Sequence, residues 1–310
     1  MRGFSVNGFG PSLIALTAGI AWVLGWSALI PASQGEGSKI GAVIAMRGVC
    51  SAGSLIARLP DIHEASGLAL SRRHDGVLWT HNDSGKPILY AVGIDGRLRA
   101  RVPVQGAQVD DWEGIATGPC GQGSCLYIGD IGDNKEARQR ITIYRVPEPA
   151  LEDTTTAPAE ALSGVYPEGP QDAEAFFVTD GTFFIFTKGE GSPISVYRFP
   201  ATAAAGTTAR LERVTTLASK AAKNERITDA GLTADGKWLA LRTLRRVEFH
   251  RADALLGGKS GEPLEVDVSG LDEPQGEGIA LGSDGTVFLA GESGDGARGG
   301  TLARLSCKLP

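Results

Sequence analysis

The stretch Glu277-Gly-Ile-Ala-Leu sets an acidic residue and a small residue before an apolar run, and Glu113-Gly-Ile-Ala repeats it earlier in the chain. Related phrases begin at three further acidic residues, namely Glu64, Glu174 and Asp229. The five acidic residues lie 49, 61, 55 and 48 positions apart. A self-similar unit of roughly 40–50 residues is typical of repeat architectures that arrange one supersecondary unit many times.

Each phrase is followed by a Gly-containing turn and a second strand-like run, such as Lys237-Trp-Leu-Ala-Leu. Several short strands per unit, separated by Asp-Gly turns, predict an all-β protein and a β-propeller of five blades. A sixth, degenerate blade within residues 201–224 remains an alternative. The run Ser54-Leu-Ile-Ala-Arg-Leu precedes the first unit, so we expect it to close the ring as the outermost strand of the last blade.

The N-terminal part of the chain has a different composition from the repeats. Arg2 is followed by an apolar stretch, residues 12–30, which is typical of an export signal and is nearly long enough to span a membrane. We therefore assign residues 1–34 to a signal peptide or a retained anchor, 35–49 to a linker and 50–310 to the propeller domain. The expected location is secreted, periplasmic or cell-envelope, with membrane contact only through an uncleaved N-terminal segment.

The overall charge is −6 and no basic run stands out, which excludes the electrostatic pattern of a nucleic-acid-binding protein. We expect a monomer. Four cysteines allow three disulfide pairings. Cys120 and Cys125 flank a short Gly-rich turn, and ring closure brings the chain ends together, which favours a Cys50–Cys307 bond. A free or lipidated Cys50 remains an alternative.

Two sets of polar residues are predicted to meet at one mouth of the central channel. The innermost strand of each blade lines the axis, so the acids that begin these strands should converge there. They are Glu64, Glu113, Glu174, Asp229 and Glu277. A second set follows one hairpin later and should return to the same mouth. It comprises Asp83, Asp130 and Asp133, Lys188, Arg242 and Glu292.

Converging carboxylates repel one another unless a cation neutralises them, and a site rich in oxygen ligands suits Ca²⁺. We therefore predict Ca²⁺ as the cofactor, held by a set of six acidic residues: Glu64, Glu113, Glu174, Asp229, Glu277 and Glu292. Asp83 and Asp130 are candidate bases or further ligands, and Arg242 and Lys188 are candidate clamps for an anionic group. The alternative is that the repeated acids bind backbone amides of the next blade and hold the ring together.

The sequence motifs of the first two units resemble those of a group of exported bacterial propeller proteins. They include His81-Asn-Asp-Ser-Gly, Asp111-Trp-Glu-Gly-Ile-Ala and Tyr127-Ile-Gly-Asp-Ile-Gly-Asp-Asn. The Glu-Gly-Ile phrase also resembles the phytase-like, esterase-like propeller family. In blade count the chain is similar to the calcium-activated nucleotidases (apyrases), and Glu64, Asp83 and Glu113 are the positions that match. This resemblance implies a calcium-binding propeller and, beyond that, a phosphohydrolase.

The combined hypothesis is an exported calcium-binding propeller that hydrolyses phosphorylated or ester substrates, with a small anionic or ester molecule as its partner. The alternative hypothesis is a non-enzymatic propeller of the cell envelope that binds a ligand or a protein, since the sequence contains no recognised catalytic triad. A six-bladed count would instead favour a calcium-dependent sugar lactonase.

Overall fold

The computed structural model of the protein describes residues 49–259, 261–294 and 299–310. Within these ranges the strands form five separate sheets, one for each predicted blade. The predicted signal peptide or anchor (residues 1–34) and most of the predicted linker (residues 35–49) lie outside the described residues. Within the described part of the chain, no helix is long and apolar enough to cross a membrane.

The strands follow the chain blade by blade, with two exceptions: β1 (Ser54–Leu59) belongs to the last blade, and β13 (Thr208–Arg210) belongs to blade 2. Blade 1 contains β2 (Ala65–Leu70), β3 (Val77–Asn82), β4 (Ile88–Gly93) and β5 (Leu98–Pro103). Blade 2 begins with β6 (Trp112–Cys120), β7 (Gly123–Asp130), β8 (Ile141–Pro147) and β9 (Glu160–Val165). Blade 3 contains β10 (Ala173–Thr179), β11 (Thr182–Thr187) and β12 (Ile194–Arg198); β13 (Thr208–Arg210) comes next in the chain, followed by β14 (Glu212–Ala218), the outer strand of blade 3. Blade 4 contains β15 (Ile227–Leu232), β16 (Trp238–Thr243), β17 (Arg246–Arg251) and, after the single-turn helix α1 (Ala252–Leu256), β18 (Leu264–Asp267). Blade 5 contains β19 (Gln275–Leu281), β20 (Thr286–Glu292), β21 (Gly300–Ser306) and β1.

The structure confirms five blades and excludes a sixth within residues 201–224. In that segment β13 pairs in parallel with β9 and becomes a fifth strand of blade 2, while β14 pairs with β12 of blade 3. The segment therefore completes two blades and does not form one of its own.

The apolar runs in the sequence become strands that are buried on both faces, because each blade packs against two neighbours. Every side chain of β16 is buried, for example. The core divides into five clusters, one at each boundary between adjacent blades. Trp79 and Trp112 lie fully buried in the cluster between blades 1 and 2, which is the packing role expected of large aromatic residues.

The ring is closed as predicted. β1 pairs antiparallel with β21, so the first strand described completes the last blade. A disulfide between Cys50 and Cys307 joins the two ends of the domain across a sequence separation of 257 residues. A second disulfide links Cys120 and Cys125 within blade 2. All four cysteines of the chain are thus paired.

Candidate functional site

The repeated phrase has a common structural position in the five blades. In each blade one residue at the start of the innermost strand pairs with one residue at the end of the second strand. The five couples are Ala65–Asn82, Trp112–Asp130, Ala173–Thr187, Ile227–Thr243 and Gly276–Gly291. In blades 2 to 5 a β-bulge interrupts the pairing directly after the couple, and in blade 1 the interruption follows one residue later, after Ser66. Bulges redirect side chains and are frequent beside functional sites.

Three sets of equivalent positions follow from these couples. We call the residue after the inner-strand member the axial position, and it is occupied by Ser66, Glu113, Glu174, Thr228 and Glu277. The residue after the second-strand member is the second-strand position, occupied by Asp83, Ile131, Lys188, Leu244 and Glu292. The residue before the inner-strand member is the entry position, occupied by Glu64, Asp111, Asp172, Arg226 and Gln275.

Eleven of these fifteen residues line one cavity of about 230 Å³, which we call the axial cavity. Its complete lining is Asp83, Asp111, Glu113, Asn134, Glu174, Lys188, Lys223, Arg226, Thr228, Leu244, Gln275, Glu277 and Glu292. The cavity therefore gathers carboxylates from four blades, together with basic side chains on one side.

The small residues of the repeated phrase allow the inner strands to approach one another closely. A Cβ atom on Gly278 would lie 2.7 Å from the backbone carbon of Gly67 in the neighbouring blade. A Cβ atom on Gly114 would lie 2.8 Å from the Phe176 ring. The acid-small-apolar phrase thus encodes an axial side chain, a close strand contact and a core residue in that order.

Lys188 supplies the positive charge nearest to the axial glutamates. Its ammonium forms ion pairs with Glu174 and, at 3.6 Å, with Asp172, and it donates a hydrogen bond to Asn134 at 3.1 Å. Burial alone would lower the pKa of Lys188, but the Glu174 carboxylate outweighs it and the pKa is raised. Lys188 therefore stays charged, and its charge is already shared among acidic neighbours.

The carboxyl groups of the cavity have raised pKa values. Burial, with the neighbouring Glu64, raises the pKa of Asp83 to about 7, and the same two causes raise that of Glu292 to about 7. Burial also raises the pKa of Glu174 to about 7, although Lys188 opposes the change. For Glu113 and Glu277, burial and then the Glu174 carboxylate raise the pKa well above its usual range. The cavity thus gathers six carboxyl groups with three basic groups, and burial favours the protonated forms of the carboxyl groups.

Two observations show which carboxylate oxygens of the cavity remain available to a ligand. Ser66 donates to the backbone oxygen of Glu113 at 2.9 Å and to its Oε2 at 3.1 Å, which fixes that side chain. The Oδ1 atom of Asp83 is buried and has no hydrogen-bond partner. A buried carboxylate oxygen without a partner is costly, so Asp83 is the acidic group best prepared to accept a ligand or a proton.

Asp229, a predicted ligand, points away from the axial cavity. It lies one residue beyond the axial position, which Thr228 occupies, and a shift of one residue turns a strand side chain to the other face. Its carboxylate accepts hydrogen bonds from the backbone N–H groups of Ile279 at 2.7 Å and Ala230 at 2.8 Å. Burial raises the pKa of Asp229, although these amides oppose the shift. Asp229 thus connects blade 4 to blade 5, as the structural alternative for the repeated acids predicts.

Arg242, a predicted anion clamp, is fully buried outside the cavity lining. Its guanidinium pairs with Glu273 and donates to the carbonyl oxygens of Gly278 at 2.6 Å and Ala290 at 3.0 Å. The residue at the equivalent second-strand position is Leu244. The contacts therefore give Arg242 a role between blades 4 and 5 and leave it no access to a ligand in the axial cavity.

Asp130 and Glu64 also lie outside the cavity lining. Asp130 pairs with Arg138 at 2.8 Å and accepts hydrogen bonds from the backbone N–H groups of Asp110 and Asp111. Glu64 accepts a hydrogen bond from Ser84 at 2.5 Å. Glu64 still acts on the cavity through its effect on Asp83, whereas Asp130 positions the turn that carries Asp111.

The sequence patterns did not indicate seven of the cavity residues: Asp111, Asn134, Lys223, Arg226, Thr228, Leu244 and Gln275. Asp111 is contained in the quoted motif Asp111-Trp-Glu-Gly, and its place two residues before the repeated acid was the available signal. Arg226 and Gln275 occupy the equivalent entry positions of blades 4 and 5, so an alignment by bulge position would have revealed them.

The donor chemistry of the cavity fits a hard divalent cation, because its free ligands are carboxylate, amide and hydroxyl oxygens. Among the residues that the structure describes, no three His, Cys, Asp or Glu side chains are already grouped to hold a metal ion. Coordination would therefore require partly exposed side chains such as Glu292 to turn toward the buried glutamates. The unpartnered Asp83 oxygen and the raised pKa values are the observations that agree with such a cation.

No protein-family profile matches the chain, and no curated protein matches it either. Among solved structures, the PQQ-bound aldose sugar dehydrogenase of Streptomyces coelicolor has a TM-score of 0.50 at 11% identity, covering 83% of this chain and 98% of that chain. The gluconolactonase XC5397 of Xanthomonas campestris has a TM-score of 0.43 at 14% identity, covering 84% and 95%. The β-propeller domain of Cps50 (Swd1) from Myceliophteria thermophila has a TM-score of 0.45 at 9% identity, covering 83% and 100%.

Identities this low establish the β-propeller fold and no activity, because one fold carries many unrelated functions. The comparisons show neither the phytase-like family nor the calcium-activated nucleotidases, so that resemblance remains a prediction.

Proposed function

We propose that the protein is an exported calcium-binding β-propeller whose axial cavity catalyses metal-assisted hydrolysis of a small ester or phosphorylated substrate. The observation that carries the proposal is the gathering of Asp83, Asp111, Glu113, Glu174, Glu277 and Glu292 around one cavity with few compensating charges. Their raised pKa values indicate that a cation would be bound favourably there.

The axial and second-strand residues would have different roles, in holding the cation and in accepting a proton. Glu113, Glu277 and Glu292 would hold the cation, and Glu174 lies beside them in contact with the Lys188 ammonium. A bound Ca²⁺ would supply a Lewis acid for the carbonyl or phosphoryl oxygen of the substrate. Asp83 would accept a proton from water in the cavity, since a carboxylate with a pKa of about 7 is well matched to a base at neutral pH.

Export is part of the proposal because both disulfides suit an oxidising compartment. Disulfides persist outside the cytosol and are rare within it in most organisms. Fusion of residues 1–49 to a reporter that is active only outside the cytosol tests this part, and a reporter that remains inactive would contradict it.

Turnover is tested by supplying chromogenic carboxylic esters and phosphate monoesters to the full-length protein with Ca²⁺ or with EDTA. We expect hydrolysis that requires Ca²⁺ and falls at least 100-fold in Asp83→Asn, because loss of a positioned base removes about 10²–10⁴-fold of rate. Asp235→Asn is the matched control, since Asp235 lies in an exposed turn away from the cavity.

A non-enzymatic ligand-binding propeller is the second candidate. It is favoured by the ion pair that already occupies Lys188 and by the absence, in the described ranges, of a preformed group of metal-binding side chains. Tight binding of a small molecule in the axial cavity without any turnover would support this candidate, whereas calcium-dependent turnover would exclude it.

A further inference from the structure

Blade 4 differs from the other blades in the charge that it presents to the axial cavity. Blades 1, 2, 3 and 5 each place two carboxylates at their entry, axial and second-strand positions. Blade 4 places Arg226, Thr228 and Leu244 there, so it contributes no carboxylate to the axial cavity. The cavity is therefore acidic on four sides and basic on the fifth.

A second basic residue adds positive charge to the blade 4 side of the axial cavity. Lys223, in the short 3-10 turn Lys223–Glu225 before β15, also lines the cavity. Its ammonium forms no ion pair with any residue that the structure describes, and its side chain is exposed. Lys223 can therefore pair with an incoming group without first losing a protein partner.

Arg226 has only part of its guanidinium engaged. Nη1 of Arg226 lies 2.8 Å from Oε2 of Glu190, while its Nε is buried and has no hydrogen-bond partner. A guanidinium presents several N–H groups in a fixed plane, so one partner does not exhaust it. The free part of Arg226 can donate to an oxyanion.

The segment that carries both residues is held in place by the backbone of blade 3. The N–H group of Ala221 donates to the carbonyl oxygen of Gly189 at 3.0 Å, and that of Ile227 donates to Lys188 at 3.1 Å. These two bonds fix both ends of the turn. A backbone that is already fixed reduces the conformational entropy that the segment loses when a ligand binds.

We propose that Lys223 and Arg226 form an oxyanion subsite in the axial cavity, and that the substrate carries a phosphate or carboxylate group which binds there. This inference rests on the proposed function, because it names the substrate class of the same site. It assigns the anion-binding role to Lys223 and Arg226 in place of Arg242. The small volume of the cavity favours a compact substrate over a polymer.

Calorimetric titration of the full-length protein with inorganic phosphate, and separately with acetate, tests the proposal with Ca²⁺ present and absent. We expect one of the two anions to bind, and its identity tells whether the natural group is a phosphate or a carboxylate. Binding should weaken about tenfold or more in Arg226→Gln, since a charge-assisted hydrogen bond contributes roughly that factor. Lys223→Gln should weaken it several-fold, and Arg226→Lys should restore part of the loss.

Arg213→Gln and Lys237→Gln are the matched controls, because both residues are exposed partners of acidic side chains outside the cavity. Thermal unfolding of each variant verifies folding, and Lys223→Gln alters an exposed side chain that the fold does not require. Anion binding that is unchanged in both Arg226→Gln and Lys223→Gln would overturn the subsite, as would binding of neither anion. If Ca²⁺ still raises the melting temperature in that case, the subsite fails while the calcium-binding proposal survives. If Ca²⁺ also has no effect, both fail.

Discussion

Arg242 of blade 4 and Glu273 beside blade 5 form an ion pair, with Nη2 2.6 Å from Oε2, and their side chains are only 0% and 3% exposed. The guanidinium also donates to two carbonyl oxygens of blade 5. This pair connects two blades from within the protein. It explains why a basic residue that the sequence pattern places near a substrate has a structural role instead.

Replacing Arg242 should destabilise the propeller strongly. In Arg242→Ala the Glu273 carboxylate remains buried without its partner, so the free energy of unfolding should fall by about 3–5 kcal/mol. The double variant Arg242→Met/Glu273→Leu, which removes both charges, should recover much of this loss. Denaturant titration measures all three proteins. A single variant of unchanged stability would mean that the pair does not hold blades 4 and 5 together.

Asp229 should affect stability and not calcium binding. Asp229→Asn replaces one acceptor oxygen with an amide donor, so one of the backbone N–H groups of Ile279 and Ala230 loses its partner. The expected loss is about 1–3 kcal/mol of unfolding free energy. Calcium affinity, measured by calorimetry on the folded variant, should stay within twofold of the parent. A large loss of affinity without a loss of stability would return Asp229 to the set of ligands.

Glu148 should make stability depend on pH in the acid range. Its carboxylate accepts hydrogen bonds from Trp79 at 2.9 Å, from the hydroxyls of Ser71 and Ser124, and from the Arg72 amide. Burial would raise the pKa of Glu148, but these donors outweigh it and the pKa lies below its ordinary value of 4.5.

A carboxyl group with a lowered folded-state pKa binds fewer protons in the folded than in the unfolded protein. Its stabilising contribution is therefore complete above pH 4.5 and is lost as the pH falls through the folded-state pKa. Glu148→Gln should be less stable at pH 7 and should flatten the fall in melting temperature below pH 4.5. Glu160→Gln, which alters an exposed residue of β9, is the control. Parallel pH curves for Glu148→Gln and the parent would contradict the assignment.

The ring-closing disulfide should contribute more to stability than the local one. The Cys50–Cys307 bond spans 257 residues and the Cys120–Cys125 bond spans 5, and longer loops lose more entropy when they are cross-linked. The Cys50→Ser/Cys307→Ser variant should lose about 2–5 kcal/mol of unfolding free energy. The Cys120→Ser/Cys125→Ser variant should lose less. Equal losses in the two double variants would show that the ring-closing disulfide stabilises the protein no more than the local disulfide does.

Much of the fold was predictable because the signals are local. The Glu-Gly-Ile phrase marks the start of the innermost strand, since an axial acid, a close strand contact and a core residue follow one another there. Ser54–Leu59 could be assigned to the last blade because a propeller must join its first and last strands. The parallel pairing of β13 with β9 was missed, because three residues carry no pattern that identifies a distant partner.

The site was predicted less completely, for a definite reason. The position of a β-bulge decides which of two adjacent side chains faces the axis, and the sequence shows no direct sign of it. In blade 4 the acid stands at Asp229, one residue past Thr228, and it therefore points toward the blade boundary. For the same reason the sequence pattern indicated Arg242 as the cavity-facing residue of the second strand, whereas Leu244 lines the cavity. Glu113, Glu174 and Glu277 line the axial cavity because the bulge and the repeated acid coincide in their blades.

Calorimetric titration of Ca²⁺ into the full-length protein tests the central claim most directly. The parent protein and the control Glu265→Gln, which alters an exposed residue of β18, should bind Ca²⁺ with the same affinity. The double variant Glu113→Gln/Glu277→Gln, which removes two axial carboxylates and keeps their shape, should show no binding while remaining folded. Absence of Ca²⁺ binding in the parent, or equal binding in the double variant, would contradict a calcium site in the axial cavity.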